Sequence, residues 1–524
     1  MSSPPNILWV SFEDTNPFYG CYGDPVARTP NLDRLAAEGC IYPKAFSTAG
    51  VCAPARAAVI TGMYPNAIGA HHMRTSWTNP ATPELPTPYE AVPPAYVKCF
   101  TEHLRRNGYY CTNNNKTDYQ FNSPFTAWDD CSSEAHWRNR PDTNQPFFAV
   151  WNPHMTHESG MWPENCPEIK FDPADMVVPP TFPDTPKVRE SLARMYTQIE
   201  IADGILGKLL EQLEEDGLSD NTIVMHWSDH GPLPRGKRWP YDSGIHVPMI
   251  IKAPGIIDGG SINHRLVSTL DLAPTVLSLC GIEVPPTLQG KAFLGDQAEE
   301  PRTYIHASRD RYDESYDKVR AARDVKYKYI RHDHPEKPYM IWVPYLNRHP
   351  IMEELWQGHL DDTLKPEESL LFRARPVEEL YDTESDPHEM NNLASDPKHK
   401  EHLLRLRGEC ERWCQEIGDM GQLDESEMVR SWWPDGIQPT TATPILIPIQ
   451  PNHYGQEPAS GPLEPNSKVH LHCTTQGSSI GYRYQGESAW RLYHLPFPPE
   501  CGKTLEVKAI RIGYKESQVA INQL

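Results

Sequence analysis

Cys52, Pro54 and Arg56 stand at alternate positions, directly ahead of the small-residue run Ala57 to Gly62. Proline suits the first turn of a helix, so Cys52 is expected just before a helix N-terminus. Free backbone N–H groups and the positive dipole end favour anions there. They also lower a thiol's pKa. Arg56, one turn further on, adds a fixed cation. A nucleophile beside an anion-binding helix end is what transfer of an anionic group requires. The spacing is short, however, and an inert cysteine at a helix start would satisfy it too.

Two further pairs carry ligand chemistry. Glu13 and Asp14 follow the apolar run Asn6 to Phe12, and Asp229 and His230 follow Thr222 to Trp227. Each pair alone reads as polar residues closing a strand. Together, two strand ends presenting oxygen and nitrogen ligands could converge on one divalent cation. Carboxylates favour Ca²⁺ or Mg²⁺, with Mn²⁺ as a further choice, and imidazole also suits softer ions.

The elements that must position these groups read as α/β. Asn6 to Phe12 (NILWVSF) is almost continuously apolar, as a strand buried on both faces should be. Phe147 to Trp151, Thr222 to Trp227 and Val247 to Ile251 are further strand candidates. Thr29 as cap, Pro30 in the first turn, Leu32, Leu35 and Ala36 on one face and Gly39 as stop predict a helix. Val188, Leu192, Met195, Ile199 and Ala202 mark the stripe of a longer one. Alternating strands and helices imply a large, mainly parallel sheet sandwiched by helices. Ligands in such sheets bind beyond the carboxyl ends of the strands.

The expected organisation is an α/β domain over residues 1–300 and a smaller α+β lobe over 301–435. The lobe holds a strand around Lys326 to Arg331 and a helix around Lys398 to Ile417, with Cys410 and Cys414 packed on one face. The proline- and threonine-rich segment 436–465 reads as a linker. Alternation in Lys468 to Cys473 and from Thr504 onward predicts a small terminal β domain over 466–524.

Composition narrows the function classes. The chain has 524 residues, enough for roughly two to four domains. Its 53 prolines are about twice the usual ~5%, which points to many fixed loops. A net charge of -21 argues against gripping nucleic acid through the bulk surface, but a local basic pocket for anions is compatible with it. The 12 cysteines lack the density of a disulfide scaffold. No apolar run approaches the ~20 residues of a membrane span. The start Met1-Ser2-Ser3-Pro4-Pro5 has no basic segment followed by an apolar one, so no signal peptide is expected in it. A cytoplasmic chain and a periplasmic or secreted chain with its leader removed both fit.

Over residues 5–395 the sequence resembles the type I sulfatases of the alkaline phosphatase superfamily. The likeness runs in order through NILWVSFED, Thr29 to Asp33, the Cys52 motif with Gly62 to Pro65, and Asp229-His230-Gly231 with Lys237. It continues through Tyr241 to Pro248, Glu379 to Asp382, and Asp386 to Ala394. The resemblance implies a divalent cation, usually calcium, held by Glu13, Asp14, Asp229 and His230. It also implies that a separate maturation enzyme oxidises Cys52 to formylglycine, whose hydrate attacks sulfur and then expels sulfate. Lys116 and Lys237 match the family's lysines beside the sulfate, with Arg56. His157, counted from Pro146, matches its presumed proton donor to the leaving alcohol, and bound sulfate should raise that pKa. His154 is the local rival, with a surface role as the alternative.

This chain departs from the family at Glu13, where Asp is commoner, and at His230, where many members have Asn. Asp118 stands where a histidine often does. Asp118 itself or His72, near Arg74, could take that place. Arg309 and Arg311 read either as a salt-bridged surface or as contacts to a uronate or second sulfate. Asn115 to Asp118 and Thr156 to Ser159 resemble heparan N-sulfatases or sulfatases of algal polysaccharides. The terminal domain weakly resembles the small β-sandwich at the end of some chitobiases. The expected activity is hydrolysis of sulfate esters on a poly- or oligosaccharide. The rivals are a phosphonate monoester or phosphodiester hydrolase, an N-sulfoglucosamine sulfohydrolase, and a degenerate protein that binds sulfated glycans.

Overall fold

The computed structural model describes residues 4–451, 453–459, 461, 463–464 and 466–524. Met1 to Ser3, part of the start considered for a leader, and four positions of the expected linker lie outside the described residues.

Asn6–Phe12, buried at every position, lies inside an eight-stranded mixed sheet. Across the sheet the strands are Asp130–Cys131, Tyr110–Asn114, Phe147–Trp151, Asn6–Phe12, Thr222–Ser228, Met249–Lys252, Cys40–Ile41 and Ser261–Ile262. The central pairs are parallel, and Met249–Lys252 runs antiparallel to Thr222–Ser228. Strand periodicity divides the core. Ile7, Trp9, Phe148, Val150, Met225 and Trp227 face one side, packed with Val59, Phe100, Leu104 and Val276. Leu8, Val10, Phe12, Ala149 and Val224 face the other, packed with Leu32, Leu35, Val188 and Leu192. The sheet is thus sandwiched by helices, and the predicted helical stripe lies buried along Pro186–Glu215.

Two local expectations change. Pro30–Glu38 begins after Thr29, but the threonine does not cap it by its side chain. Thr29 Oγ1 instead accepts from Gly20 N–H at 2.9 Å, tying the preceding turn to the helix. The expected strand from Val247 is assigned to Met249–Lys252.

The second lobe is a four-stranded antiparallel sheet ordered Ile305–Arg309, Val319–Arg323, Tyr327–His332 and Glu378–Asp382. Helix Lys400–Glu416 covers it, with Leu403, Leu406 and Cys410 on Ala322, Tyr329 and Leu380. Trp413 and Cys414 of the same helix join a core with Ala57 and Ala58, so the lobe braces the Cys52 helix.

The segment 436–465 is not simply a linker. Ile445–Gln450 lies within it and pairs antiparallel with Lys468–His472, Ile445 opposite His472. Proline content suggested a break, yet Pro448 is accommodated opposite Val469 in this short sheet. A second sheet of four strands contains Ser479–Tyr484 and Thr504–Ile510. Leu446, Val469, Leu471, Leu505 and Val507 form the shared core. No helix among the described residues is long and apolar enough to cross a membrane.

Candidate active site

Strand register assembles the site. Asn6–Phe12 and Thr222–Ser228 run parallel with Phe12 opposite Ser228. The next residues of each, Glu13-Asp14 and Asp229-His230, therefore leave the sheet side by side. Asp14 turns with φ 44°, and its N–H donates to Asp229 Oδ1 at 3.1 Å. Helix Cys52–Thr61 starts at the same edge, with Cys52 in its first turn.

His230 Nδ1 lies 3.0 Å from the Gly231 carbonyl. A carbonyl only accepts, so this contact places the proton on Nδ1 and leaves a lone pair on Nε2. Nε2 lies 3.2 Å from Asp14 Oδ1 and 3.1 Å from Cys52 Sγ. Asp14, Cys52, Asp229 and His230 each offer a ligand atom within 4.8 Å of the others, and Glu13, Asp14, Cys52 and His157 form an overlapping set. Buried carboxylates facing an imidazole lone pair are acceptors set against acceptors. That arrangement fits a divalent cation, and the carboxylate oxygens suit a hard one.

Cations surround these acids. Arg56 Nε donates to Asp229 Oδ2 at 2.8 Å, and its Nη1 to Asn152 Oδ1 at 3.0 Å. Its Nη2 is buried without a hydrogen-bond partner among the described residues. Lys116 Nζ donates to Glu13 Oε2 at 2.6 Å. Lys237 Nζ donates to Asp14 Oδ2 at 2.5 Å and lies 3.0 Å from Glu158 Oε1 and 3.4 Å from His157 Nε2. Burial opposes the Lys237 charge, but Asp14 and Glu158 outweigh it and hold its pKa above the usual lysine range. Burial likewise opposes the Asp229 charge, and the neighbouring cations, Arg56 and Lys116, help to override it and keep the carboxyl ionised.

One electrostatic expectation is corrected. Burial, the largest influence, pushes the Cys52 thiol up rather than down, despite Lys116 and Lys237. The unmodified side chain is therefore a protonated thiol near neutral pH. Burial and then Lys237 push His157 down to about 4, so without an anion beside it this imidazole is neutral.

The other candidates divide. Asp118, at φ 54°, brings its carboxylate to 3.9 Å from Lys116 Nζ. Arg74, half-buried, pairs with Asp313 and lies over Tyr345, 5.0 Å from its ring centre. His157 is also beside Tyr345, whereas His154 is exposed and contributes its carbonyl to His157 N–H at 3.1 Å. Neither reading of the second-lobe arginines holds. Arg309 is buried, 3.3 Å from Asp317 and over Trp239. Arg311 is buried in a two-pronged pair with Glu425, both bonds at 2.7 Å. They are internal ties, neither surface charges nor free substrate ligands. His72 is buried as well, and its Nδ1 accepts from Arg311 N–H at 3.2 Å, which directs it into this network.

Sequence reasoning missed Asn152, Glu158 and Arg238. Glu158 is buried, its N–H donating to Asp14 Oδ2 at 2.6 Å and its carboxylate receiving Arg238 Nη2 at 2.9 Å. Asn152 immediately follows a core strand, and Arg238 adjoins Lys237, so position alone could have flagged them.

Fold and site together bring a buried cysteine, a group of side chains able to hold a metal ion and a ring of cations to one edge of the central sheet. Residues 5–282 match the sulfatase family, and residues 230–342 match the C-terminal family of N-sulphoglucosamine sulphohydrolase. An ulvan-active sulfatase of Formosa agariphila is 42% identical, the match covering 98% of this chain and 90% of that protein. Human N-sulphoglucosamine sulphohydrolase is 27% identical over 79% of this chain and 91% of its own. Among solved structures, a 2-O GAG sulfatase superposes with TM-score 0.59 at 19% identity, covering 80% of this chain and 94% of that one. A phosphonate monoester hydrolase of Agrobacterium radiobacter gives TM-score 0.58 at 17% identity, covering 79% and 96%. The chain belongs to the sulfatase family and is a sulfuric ester hydrolase.

Proposed function

We propose that this enzyme removes sulfate from a sulfated polysaccharide or its oligosaccharides, with ulvan-type chains as the leading substrate class. The observation that carries the chemistry is the convergence of Cys52 with Asp14, Asp229 and His230 inside a ring formed by Arg56, Lys116 and Lys237. The substrate class is supported by the ulvan-active relative, similar along almost the whole chain.

Asp14, Asp229 and His230, with Glu13, would hold a divalent cation, calcium by preference, whose charge offsets that of sulfate. Converted to formylglycine by a maturation enzyme, residue 52 would supply a hydrated aldehyde: one oxygen to attack sulfur and another to expel sulfate. A protonated, buried thiol offers neither function, which favours conversion over direct cysteine chemistry. Lys116 and Lys237 orient the sulfate oxygens by donating to them. Arg56 has one buried N–H direction unassigned and keeps Asp229 in place. His157, beside Lys237, is placed to pass a proton to the leaving hydroxyl once bound sulfate favours its charged form.

The deciding measurement is mass spectrometry of the tryptic peptide Ala45 to Arg56, from protein produced with a maturation enzyme. An aldehyde in place of the Cys52 thiol is expected. An unmodified thiol in an active preparation overturns the mechanism. Cys52→Ala should fold normally and lose turnover. The match to the N-sulphoglucosamine family favours a second reading, cleavage of an N-sulfate. Sulfate release from N-sulfated glucosamine but not from O-sulfated oligosaccharides would select it. Preferred turnover of an aryl phosphonate over an aryl sulfate would select the phosphonate alternative.

A further inference from the structure

A cleft of about 540 Å³ lies between the catalytic domain and the terminal β domain, within the ~300–1,000 Å³ usual for ligand sites. Asn115, Thr117, Phe125 and Trp128 form one wall, and Ser488 and Trp490 form the other. Asn115 and Thr117 flank Lys116, whose amine reaches Glu13 in the active site. The cleft therefore adjoins the catalytic pocket through a single loop.

Its walls are fixed to each other. Arg105 donates to the Trp490 carbonyl at 2.7 Å, to the Thr126 carbonyl at 2.5 Å and to Asp129 Oδ1 at 2.7 Å. One guanidinium thus ties both sides and neutralises the acid in the cleft. Phe125 and Trp490 meet edge to face at 5.6 Å. Lys508 Nζ lies 4.9 Å and the Arg483 guanidinium 4.5 Å from the Trp490 ring centre. Trp128 closes this wall against the core, stacked on Phe148. Trp128 is only 7% exposed. A half-buried indole beside the polar side chains of Asn115, Thr117 and Ser488 matches the apolar faces and hydroxyls of a saccharide.

We propose that this cleft is a binding subsite for sugar units of the polymer remote from the sulfate being removed, with Trp490 as its platform. The inference rests on the polysaccharide reading above. It gives the terminal domain a direct part in holding substrate, because the catalytic domain alone supplies only one wall.

The test compares the full-length enzyme with Trp490→Ala and Trp490→Phe, using ulvan as the probe. Migration in gels containing ulvan reports binding without requiring turnover. KM and kcat on ulvan oligosaccharides and on a small aryl sulfate report catalysis. Retardation of the wild type, its loss in Trp490→Ala and its partial recovery in Trp490→Phe are expected. The oligosaccharide KM should rise about five- to tenfold in Trp490→Ala, the scale of one lost stacking contact. Aryl sulfate turnover should not change, which also shows that the variant is folded. Equal retardation of wild type and Trp490→Ala, or none for either, overturns the subsite. Retention of binding by the wild type with no sulfate released from ulvan would instead overturn the substrate reading while leaving the subsite standing.

Discussion

At the scale of single residues, charge pairing determines what each group can do. His157 is neutral without an anion beside it because burial and Lys237 oppose its protonation. Its contribution should therefore appear only when sulfate is bound and the leaving group needs a proton. His157→Ala is expected to lower kcat about 10²- to 10⁴-fold on sugar sulfates. It should do far less on aryl sulfates with acidic phenol leaving groups. Equal losses on both, from a series of leaving groups of graded pKa, would remove His157 from that step. Glu158 illustrates the opposite case. It is buried, and it holds Lys237 and Arg238 and orients Asp14 through its own N–H.

At the scale of elements, helix Lys400–Glu416 shows how a distant segment steadies the Cys52 helix. His306 Nε2 contacts Glu409 at 2.9 Å, and the imidazole stacks on Trp413, 4.9 Å between ring centres. Burial acts to raise the Glu409 pKa, but hydrogen bonds from His306 and Arg412 outweigh it and bring it down to about 2. A folded-state pKa below the unfolded value means that the native state binds fewer protons. This contribution should be complete above about pH 4.5 and lost progressively toward pH 2. Urea unfolding at stepped pH should show that slope in the wild type and a shallower one in Glu409→Gln. Elements of this kind were legible where periodicity was strong. Asn6–Phe12 and the Pro186–Glu215 stripe follow directly from apolar spacing, and the strand ends placed both polar pairs, Glu13-Asp14 and Asp229-His230. Arg309 and Arg311 were not legible, because a sequence does not show that Asp317 and Glu425 come from elsewhere to bury them. Ile445–Gln450 was hidden by Pro448 and the flanking Pro444 and Pro451, and its pairing partner lies beyond the next loop.

At the scale of the whole molecule, the terminal β domain is joined to the catalytic domain by specific polar ties and by close approaches at Gly477, Gly481 and Gly513. Lys98 Nζ donates to the Gly477 carbonyl at 2.6 Å and to Ser479 Oγ at 2.8 Å. A Cβ at Gly481 would stand 2.4 Å from Phe125 Cε2, inside any real contact distance. Gly481→Ala should therefore overpack this seam and cost about 1–3 kcal/mol. Calorimetry should show a lower Tm, whereas an unchanged Tm would mean that Phe125 yields freely. The enclosure of Cys52 bears on the life history of the chain. The residue is 2% exposed and closes against Ala53, Met73 and Tyr312. On the proposed mechanism, a maturation enzyme cannot grip this peptide once the helix has packed. Conversion must then compete with folding, in the interval between synthesis of the segment and its enclosure. A population made too fast for its maturation enzyme would be stable, correctly folded and permanently inactive.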